Sequence, residues 1–185
     1  MKKNELLDRI RRIRLVAFDI DGVLTDGSIL LDADGREMKR FNVHDGSGIK
    51  YLQRAGIRTA ILSGRRAKAV THRARELEMG PVLQGYKFKM DGLRRMIRET
   101  KVPAEAICFV GDDLPDIPVM RAVGLAVAVA DARPEVLATA QWVTRARGGR
   151  GAAREVAERI LRVQGRWAGI IERYGLTPSG GPEAP

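Results

Sequence analysis

Five aspartates stand in two short stretches of the sequence, each directly behind an apolar run. Asp19 and Asp21 form the first stretch, and Asp112, Asp113 and Asp116 form the second. Carboxylates that are held close together repel one another, and a cation bound between them relieves the repulsion. A ligand set of oxygen atoms alone suits Mg²⁺ better than zinc or copper. If the fold unites the two stretches, the sequence predicts a magnesium site.

A lone Asp-x-Asp pair is weak evidence of chemistry, because aspartates often end strands as helix caps or turn formers. Taken by themselves, Asp19 and Asp21 fit that structural explanation equally well. A third polar stretch, Ser63-Gly64-Arg65, follows another apolar run. Polar residues therefore stand behind several apolar runs, and the question is whether the fold brings them together.

The elements that must position these residues alternate along the chain. Apolar runs of strand length alternate with segments of helical spacing, which is typical of a parallel, right-handed α/β sheet. Ligands of such sheets bind beyond the carboxyl ends of the strands, where the polar stretches fall. We therefore predict an α/β, Rossmann-like fold with helices on both faces of a parallel sheet. The predicted strands are residues 15–20, 58–62, 82–83, 106–110, 125–129 and 142–143, and the predicted helices are residues 48–55, 65–78, 90–100, 115–122 and 134–139.

Two short extended runs interrupt this alternation. Residues 28–32 and 37–42 flank Asp34-Gly35, a dipeptide that favours a tight hairpin turn. They predict a β-hairpin flap after the first strand.

Helices are predicted near both ends of the chain, and the last residues are predicted to be disordered. An amphipathic helix is predicted at residues 3–13, and another helix is predicted at residues 152–167. Residues 1–174 are predicted to form a single domain, and residues 175–185, rich in Pro and Gly, a disordered tail.

The formal net charge of +10 lies mostly near the termini. Residues 1–14 hold six Lys/Arg against two acidic residues, and residues 145–185 hold eight Arg against four Glu. Neither zinc-finger spacing nor a basic run with interleaved aromatic residues accompanies them. The charge is interpreted as solvated helix faces and attraction for anionic substrates, so nucleic acid is not an expected partner.

The location is predicted from what the sequence lacks. The longest apolar stretch, residues 125–130, is far shorter than the roughly 20 residues that span a bilayer, and the N-terminus has no signal-peptide core. We expect a cytoplasmic protein with no membrane partner. The single cysteine, Cys108, excludes an internal disulfide and a thiolate metal site, and its apolar surroundings indicate a buried structural thiol.

Four motifs occur in one order along the chain. Asp-x-Asp-Gly-Val-Leu-Thr at residues 19–25 is followed by Ser-Gly-Arg at 63–65, by Lys89, and by Gly-Asp-Asp-x-x-Asp at 111–116. This order resembles the four motifs of the haloacid dehalogenase superfamily, and the resemblance spans residues 14–160.

The resemblance implies a role for each motif. Asp19 would be the nucleophile that forms an aspartyl-phosphate. Asp21 would be the general acid and base, and its backbone carbonyl would reach the metal ion. Asp112 would complete the Mg²⁺ site with Asp19 and Asp21. Ser63 would hold phosphoryl oxygens, and the charge of Lys89 would offset that of the nucleophile and the phosphoryl group.

Two assignments stay open at this stage. Lys87 is close enough to Lys89 to be confused with it as the motif lysine. Asp113 and Asp116 could each be an outer ligand of the metal or an orienting group.

A narrower resemblance rests on the segment Arg40-Phe41-Asn42-Val43-His44-Asp45-Gly46-Ser47-Gly48-Ile49-Lys50 and on residues 111–120, 129–132 and 148–152. No domain-sized segment separates the motifs, so the cap domain of most relatives is missing. The chain resembles the capless 3-deoxy-D-manno-octulosonate 8-phosphate phosphatases. That resemblance implies a small sugar-acid phosphate as substrate, and a homotetramer in which flap hairpins meet and the Arg150 region covers a neighbour's site. The implied substrate-binding residues are Asp21, Asn42, Val43, His44, Asp45, Gly46, Lys50, Arg65, Arg73 and Lys89.

Two residues depart from that pattern. His44 and Lys50 stand where arginine is common, and neither replaces the bidentate fork of a guanidinium. One alternative is therefore a phosphatase for another sugar acid, such as a nine-carbon, sialic-acid-like 9-phosphate. A second is a non-catalytic scaffold or nucleic-acid-binding subunit that acts through the arginine-rich ends.

Overall fold

The structure, a computed structural model, describes residues 3–177 and contains eight β-strands and eight α-helices within that range. The strands are β1 Leu15–Phe18, β2 Leu30–Leu31, β3 Glu37–Met38, β4 Arg58–Ser63, β5 Val82–Gln84, β6 Ile107–Gly111, β7 Leu125–Ala128 and β8 Trp142–Val143. The helices are α1 Lys3–Arg12, α2 Val43–Arg54, α3 Lys68–Glu76, α4 Lys89–Thr100, α5 Ile117–Ala122, α6 Pro134–Thr139, α7 Ala152–Val163 and α8 Trp167–Ile171. Short 3₁₀ helices form at Ala104–Ala106, Leu114–Asp116 and Glu172–Tyr174.

Six strands form one parallel sheet in the order β5-β4-β1-β6-β7-β8. β1 lies between β4 and β6, and Phe18 at its end pairs with Ile61 on one side and Val110 on the other. The chain extends the sheet from β1 through β4 to β5, then returns to place β6 on the other side of β1. Ligands of open α/β sheets bind beyond the strand ends at such a reversal. The predicted fold is confirmed, and the reversal lies between β1 and β6.

The central strands are apolar because helices cover both faces of the sheet. Every residue of β1, β6 and β7 is buried. The helices pack in two groups, α1, α2, α7 and α8 in one and α4, α5 and α6 in the other. Gly48 lets α2 approach α7 closely, since a Cβ atom there would lie 2.8 Å from the Cα atom of Arg154. No helix among residues 3–177 is both long and apolar enough to cross a membrane.

The predicted hairpin flap forms, although its strands are shorter than expected. β2 and β3 pair antiparallel through only two residue pairs, Leu30 with Met38 and Leu31 with Glu37. Leu30, Leu31 and Met38 are exposed, so little apolar packing extends this ribbon.

Several element boundaries differ from the prediction. α2 begins at Val43 rather than at residue 48, because the side chain of Asn42 accepts the backbone N–H of His44 and caps the helix. α3 begins at Lys68 rather than at residue 65. The last predicted helix is broken at Gly165, which has a φ of +69°, and resumes as α8. The predicted tail lies outside the described residues from residue 178 onward.

Candidate active site

Asp19 lies directly beyond the end of β1, where its backbone N–H donates to the carbonyl of Val110 on β6 at 3.0 Å. The residue is 6% exposed, and its Oδ2 lies 2.8 Å from the Nζ of Lys89. Its Oδ1 is buried and has no hydrogen-bond partner among the described residues. Asp19 therefore presents one carboxylate oxygen to Lys89 and keeps the other free.

Asp112 follows β6, so its carboxylate emerges at the same edge of the sheet as Asp19. Its Oδ1 is also buried and lacks a hydrogen-bond partner among residues 3–177. Gly22 makes room for the side chain of Asp112, since a Cβ atom at Gly22 would overlap its Oδ2 and lie 2.5 Å from its Cγ. Only a glycine at position 22, with a φ of +90°, permits this close approach.

Asp116 is the third carboxylate of the cluster, and Asp113 is not part of it. Asp116 is fully buried and accepts a 2.5 Å hydrogen bond from Lys89 on Oδ1. Its Oδ2 accepts the backbone N–H groups of Asp112 and Asp113 at 2.9 and 3.2 Å. Asp113 is exposed and caps the 3₁₀ helix through Leu114. Asp116 thus orients Lys89 and the loop that carries Asp112.

Burial and mutual repulsion raise the pKa values of the two carboxylates with free oxygens. The pKa of Asp19 rises to about 6, mainly through desolvation and then through the charge of Asp116, against the opposing effect of Lys89. Desolvation, followed by the charges of Asp19 and Asp116, raises the pKa of Asp112 to about 8. Burial alone would lower the pKa of Lys89, but the two carboxylates that it contacts outweigh burial and raise it. The cluster therefore holds one firmly charged ammonium and an excess of carboxylate.

This arrangement fits a divalent cation. One oxygen from each of Asp19, Asp112 and Asp116 lies within 4.8 Å of the others. Three carboxylates against the ammonium of Lys89 leave two uncompensated negative charges when all are ionised. The free oxygens of Asp19 and Asp112 are hard ligands of the kind that Mg²⁺ prefers. Both oxygens of Asp116 accept hydrogen bonds, so the side chains of Asp19 and Asp112 are better placed to bind the cation.

Asp21 stands beside the cluster and is bound by two cations. Its Oδ1 contacts the Nζ of Lys39, and its Oδ2 lies 3.4 Å from the Nε of Arg65. Glu37 contacts the same two cations, at 2.8 Å from Lys39 and 3.2 Å from Arg65. Sequence reasoning missed Lys39 and Glu37, because no local pattern indicates that this end of the flap folds onto the Asp-x-Asp motif.

Ser63 ends β4, and its side chain lies at the same carboxyl edge of the sheet. The residue is 3% exposed, and its Oγ accepts the backbone N–H of Arg65 at 3.4 Å.

The structure distinguishes the two candidates for the motif lysine. Lys89 is buried and contacts Asp19, whereas Lys87 is exposed.

Residues 42–46, predicted as a substrate loop, form the cap and first turn of α2. The Nδ2 of Asn42 donates to the carbonyl of Gly149 at 3.4 Å. Asp45 is buried, and its carboxylate accepts backbone N–H groups of Gly151 at 3.2 Å and of Arg154 at 2.9 Å. Asp45 thus anchors the start of α7, while Val43 and His44 are exposed.

The remaining predicted substrate contacts have partners of their own. Lys50 pairs with Glu78 at 2.7 Å. Arg73 lies against Gly46, pairs with Glu76 at 2.8 Å and places its guanidinium over the ring of Phe41. The structure brings Arg73 to the first turn of α2 and gives Lys50 an exposed acidic partner.

The carboxylate cluster lies apart from the groove beside β5. A groove of about 590 Å³ lies beside β5 and is lined by residues that include Arg66, Gln84 and Arg95, but by none of the clustered aspartates. The expected absence of a cap agrees with the local structure, since the chain between β1 and α2 forms only the hairpin.

The sheet reversal carries Asp19, the buried Lys89 and the carboxylates of Asp112 and Asp116, an arrangement that fits the haloacid dehalogenase class. Residues 86–155 match the family model of haloacid dehalogenase-like hydrolases. The chain is 43% identical to the 3-deoxy-D-manno-octulosonate 8-phosphate phosphatase KdsC of Yersinia pestis, over 90% of this chain and 89% of that protein. The KdsC of Escherichia coli K12 is also 43% identical, with 88% and 86% covered.

A solved structure supports the same placement. The 3-deoxy-D-manno-octulosonate 8-phosphate phosphatase of Moraxella catarrhalis, in complex with magnesium, phosphate and the sugar acid, superimposes with a TM-score of 0.90 at 34% identity, covering 94% of this chain and 99% of that one. The chain belongs to the family of 3-deoxy-D-manno-octulosonate 8-phosphate phosphatases.

Proposed function

We propose that this protein is a Mg²⁺-dependent phosphatase that hydrolyses 3-deoxy-D-manno-octulosonate 8-phosphate through an aspartyl-phosphate on Asp19. The observation that carries the proposal is the pair of buried oxygens on Asp19 and Asp112 that have no hydrogen-bond partner within the described part of the chain, beside the ammonium of Lys89. Identity of 43% to phosphatases of this name supports the substrate. Buried carboxylates with raised pKa values are typical of catalytic and metal-binding sites, and a scaffold or nucleic-acid-binding subunit does not require them.

In the first step Asp19 is the nucleophile. A carboxylate oxygen of Asp19 bonds to phosphorus while the bond from phosphorus to the sugar oxygen breaks, and Asp21 gives a proton to that departing oxygen. Lys89, 2.8 Å from Asp19, offsets the negative charge of the nucleophile and of the transferring group. Ser63, buried at the end of β4, would hold phosphoryl oxygens.

In the second step water releases the enzyme. Asp21 takes a proton from the water, the water oxygen bonds to phosphorus, and the bond from phosphorus to Asp19 breaks. Inorganic phosphate leaves and the carboxylate of Asp19 is restored. Asp19 and Asp112 would hold Mg²⁺, with the backbone carbonyl of Asp21. When bound, the ion supplies positive charge that draws the anionic phosphoryl group to the carboxylates.

Binding of the sugar acid is assigned to residues 42–46, Lys50, Arg65, Arg73 and Lys89. Arg65 is half exposed beside Asp21, and Arg73 lies against Gly46, so both guanidinium groups border the region between the flap and α2. Cationic groups suit a ligand that carries both a phosphate and a carboxylate. Asp45 supports this segment by anchoring it to α7.

The working assembly is a homotetramer in the cytoplasm. The exposed Leu30, Leu31 and Met38 of the flap are apolar side chains that another subunit would cover. Arg150, 65% exposed and 3.9 Å from Asp26, stands near the flap where it would border a neighbour's site. A monomeric mass by light scattering would refute the tetramer and leave the chemistry of the site untouched.

The experiment is phosphate release from a panel of sugar phosphates, with Mg²⁺ or with excess chelator. Octulosonate 8-phosphate should be the best substrate, and chelator should abolish its turnover. Asp19→Asn should be inactive, whereas Asp113→Asn changes a carboxylate of the neighbouring loop that lies outside the cluster and should retain activity. Preference for a nine-carbon 9-phosphate would replace the substrate, and Mg²⁺-independent or absent hydrolysis would overturn the proposal.

A further inference from the structure

A closed ring of four alternating charges joins the flap to the candidate site. Lys39 contacts Asp21 and Glu37, and Arg65 contacts the same two carboxylates. Asp21 follows β1, Arg65 follows β4, and Glu37 and Lys39 belong to the flap or directly follow it. The ring therefore connects three segments that are distant in sequence.

Lys39 is the most enclosed member of the ring. Its side chain is 1% exposed, compared with 22% for Asp21, 18% for Glu37 and 50% for Arg65. The ammonium of Lys39 contacts the carboxylates of both Asp21 and Glu37. A charge that is buried so fully is retained only where both carboxylates hold it in place.

The two oxygens of Asp21 are held unequally. Oδ1 is in direct contact with the ammonium of Lys39. Oδ2 is 3.4 Å from the Nε of Arg65, which is longer than a usual hydrogen bond, and Arg65 is half exposed. Oδ1 is thus committed to Lys39, whereas Oδ2 is held only by the longer contact with Arg65 within residues 3–177.

We infer that Lys39 is a positioning residue that fixes the Oδ1 atom of Asp21, so that Oδ2 is the oxygen that exchanges the proton. This inference rests on the proposed role of Asp21. In the first step Oδ2–H gives its proton to the departing sugar oxygen as the bond to phosphorus breaks, and in the second step Oδ2 takes a proton from water. Glu37 supports the arrangement by holding Lys39 from its other side.

Packing of the flap alone does not require this contact. Arg40, the next residue, contacts Asp26 and offers the flap a second attachment to the loop after β1. The ribbon exposes Leu30, Leu31 and Met38, so its attachment does not depend on a large apolar interface. Lys39 differs from a residue that only attaches the flap, because its buried ammonium contacts Asp21, the carboxylate that is proposed to transfer protons.

The test compares two substrates that differ in their need for a proton. A sugar alkoxide must be protonated as it leaves, whereas the nitrophenolate of p-nitrophenyl phosphate leaves without help. The ratio kcat/KM reports steps up to release of this first product, so it isolates proton donation from the later hydrolysis. Lys39→Met should lower kcat/KM for octulosonate 8-phosphate by about 10- to 100-fold, part of what general acid catalysis contributes. The value for p-nitrophenyl phosphate should change less than about threefold on the same argument.

Four further variants separate the possible failures. Asp21→Asn should show the same selective loss in stronger form, and Lys39→Arg, which keeps the charge, should recover most of the activity. Arg36→Met removes a cation from the hairpin turn, where it pairs with the flap acids Asp32 and Asp34, and should match wild type. If Lys39→Met does not fold, Glu37→Gln disturbs the same ring and should show a smaller selective loss.

The outcomes are distinct. Equal losses on both substrates in the Lys39→Met or Glu37→Gln variant would show a merely structural role and overturn the inference. A selective loss in Asp21→Asn without one in Lys39→Met would leave the proposed function standing and refute the role of Lys39. A wild-type enzyme without activity on the sugar phosphate would refute the proposed function itself.

Discussion

Replacing Gly22 with alanine should weaken Mg²⁺ binding without changing any charged residue. The new Cβ atom would overlap the Oδ2 of Asp112 and lie 2.5 Å from its Cγ. Because the overlapping atoms belong to a side chain, the protein can respond by turning Asp112 aside. The carboxylate that is moved is one of the two that keep a free oxygen for the cation.

The size of the effect follows from the contact distances. Carbon atoms pack at about 3.5–4.0 Å, so the carboxyl group of Asp112 must move by about 1 Å. Magnesium demands oxygen ligands at about 2.0–2.1 Å in nearly octahedral geometry, and a displacement of 1 Å removes Asp112 from that shell. We expect the affinity for Mg²⁺ to fall by at least about tenfold, the lower end of the loss seen when a metal ligand loses its orientation. Alanine with a positive φ adds about 1–2 kcal/mol of backbone strain.

The assay is a calorimetric Mg²⁺ titration, with activity measured as a function of Mg²⁺ concentration. Gly35→Ala is the matched control, because Gly35 has a φ of +74° and a Cβ atom there would meet no atom of residues 3–177 within 4 Å apart from its chain neighbours. Both variants should lose a similar amount of stability through strain, but only Gly22→Ala should lose Mg²⁺ affinity. A folded Gly22→Ala protein that binds Mg²⁺ as wild type does would refute the assignment of Asp112 as a ligand.

Three further predictions concern the cluster and the helix that supports it. The metal-free pKa values of about 8 for Asp112 and about 6 for Asp19 exceed the ordinary 3.8, so the free energy of unfolding of the metal-free protein should fall as pH rises from about 4 to 8. For the same reason Mg²⁺ binding near pH 7 should release about one proton, which calorimetry in buffers of different ionisation enthalpy measures. Mg²⁺ binding that does not depend on pH would contradict this prediction. Asp45→Ala removes the acceptor of two backbone N–H groups at the start of α7 and should lower the free energy of unfolding by about 1–2 kcal/mol in urea titrations. Asp45→Asn, which keeps one acceptor oxygen, should lower it less. Unchanged stability of Asp45→Ala would exclude the anchoring role. Gly48→Ala brings a Cβ atom to 2.8 Å from the Cα of Arg154 and should lower the free energy of unfolding, measured by urea titration, by about 1–3 kcal/mol while kcat per folded molecule is unchanged. A free energy of unfolding equal to that of the wild type would show that α2 and α7 can move apart without cost.

Local patterns were sufficient to predict the sheet and the meeting of its carboxylates. Strands buried on both faces are continuous apolar runs, as in Leu15–Phe18 and Ile107–Gly111, and such runs are visible in a sequence. Parallel strands present their carboxyl ends at one edge, so Asp19 and Asp112 were expected together although their strands are far apart along the chain. The structure brings them together there, with Asp116 as the third member of the cluster.

Contacts that depend on side chains from distant segments were not predictable in the same way. Nothing in the sequence around Lys39 distinguishes it from a solvated lysine, because its partner Asp21 lies across the flap. The start of α2 differs from the prediction as well. Asn42 is a readable helix-capping residue, but the predicted helix starts at residue 48, whereas the observed one starts at Val43.

The reversal of strand order beside β1 divides the cation site between two parts of the polypeptide. Asp19 belongs to the half of the sheet formed by β1, β4 and β5, whereas Asp112 and Asp116 belong to the half formed by β6, β7 and β8. The proposed side-chain ligands Asp19 and Asp112 stand on different halves, so a bound ion would connect the two halves as a cross-link does. Ligand binding stabilises only the state that holds the whole site. Two fragments separated between β5 and β6 should therefore associate more tightly in the presence of Mg²⁺ than in its absence.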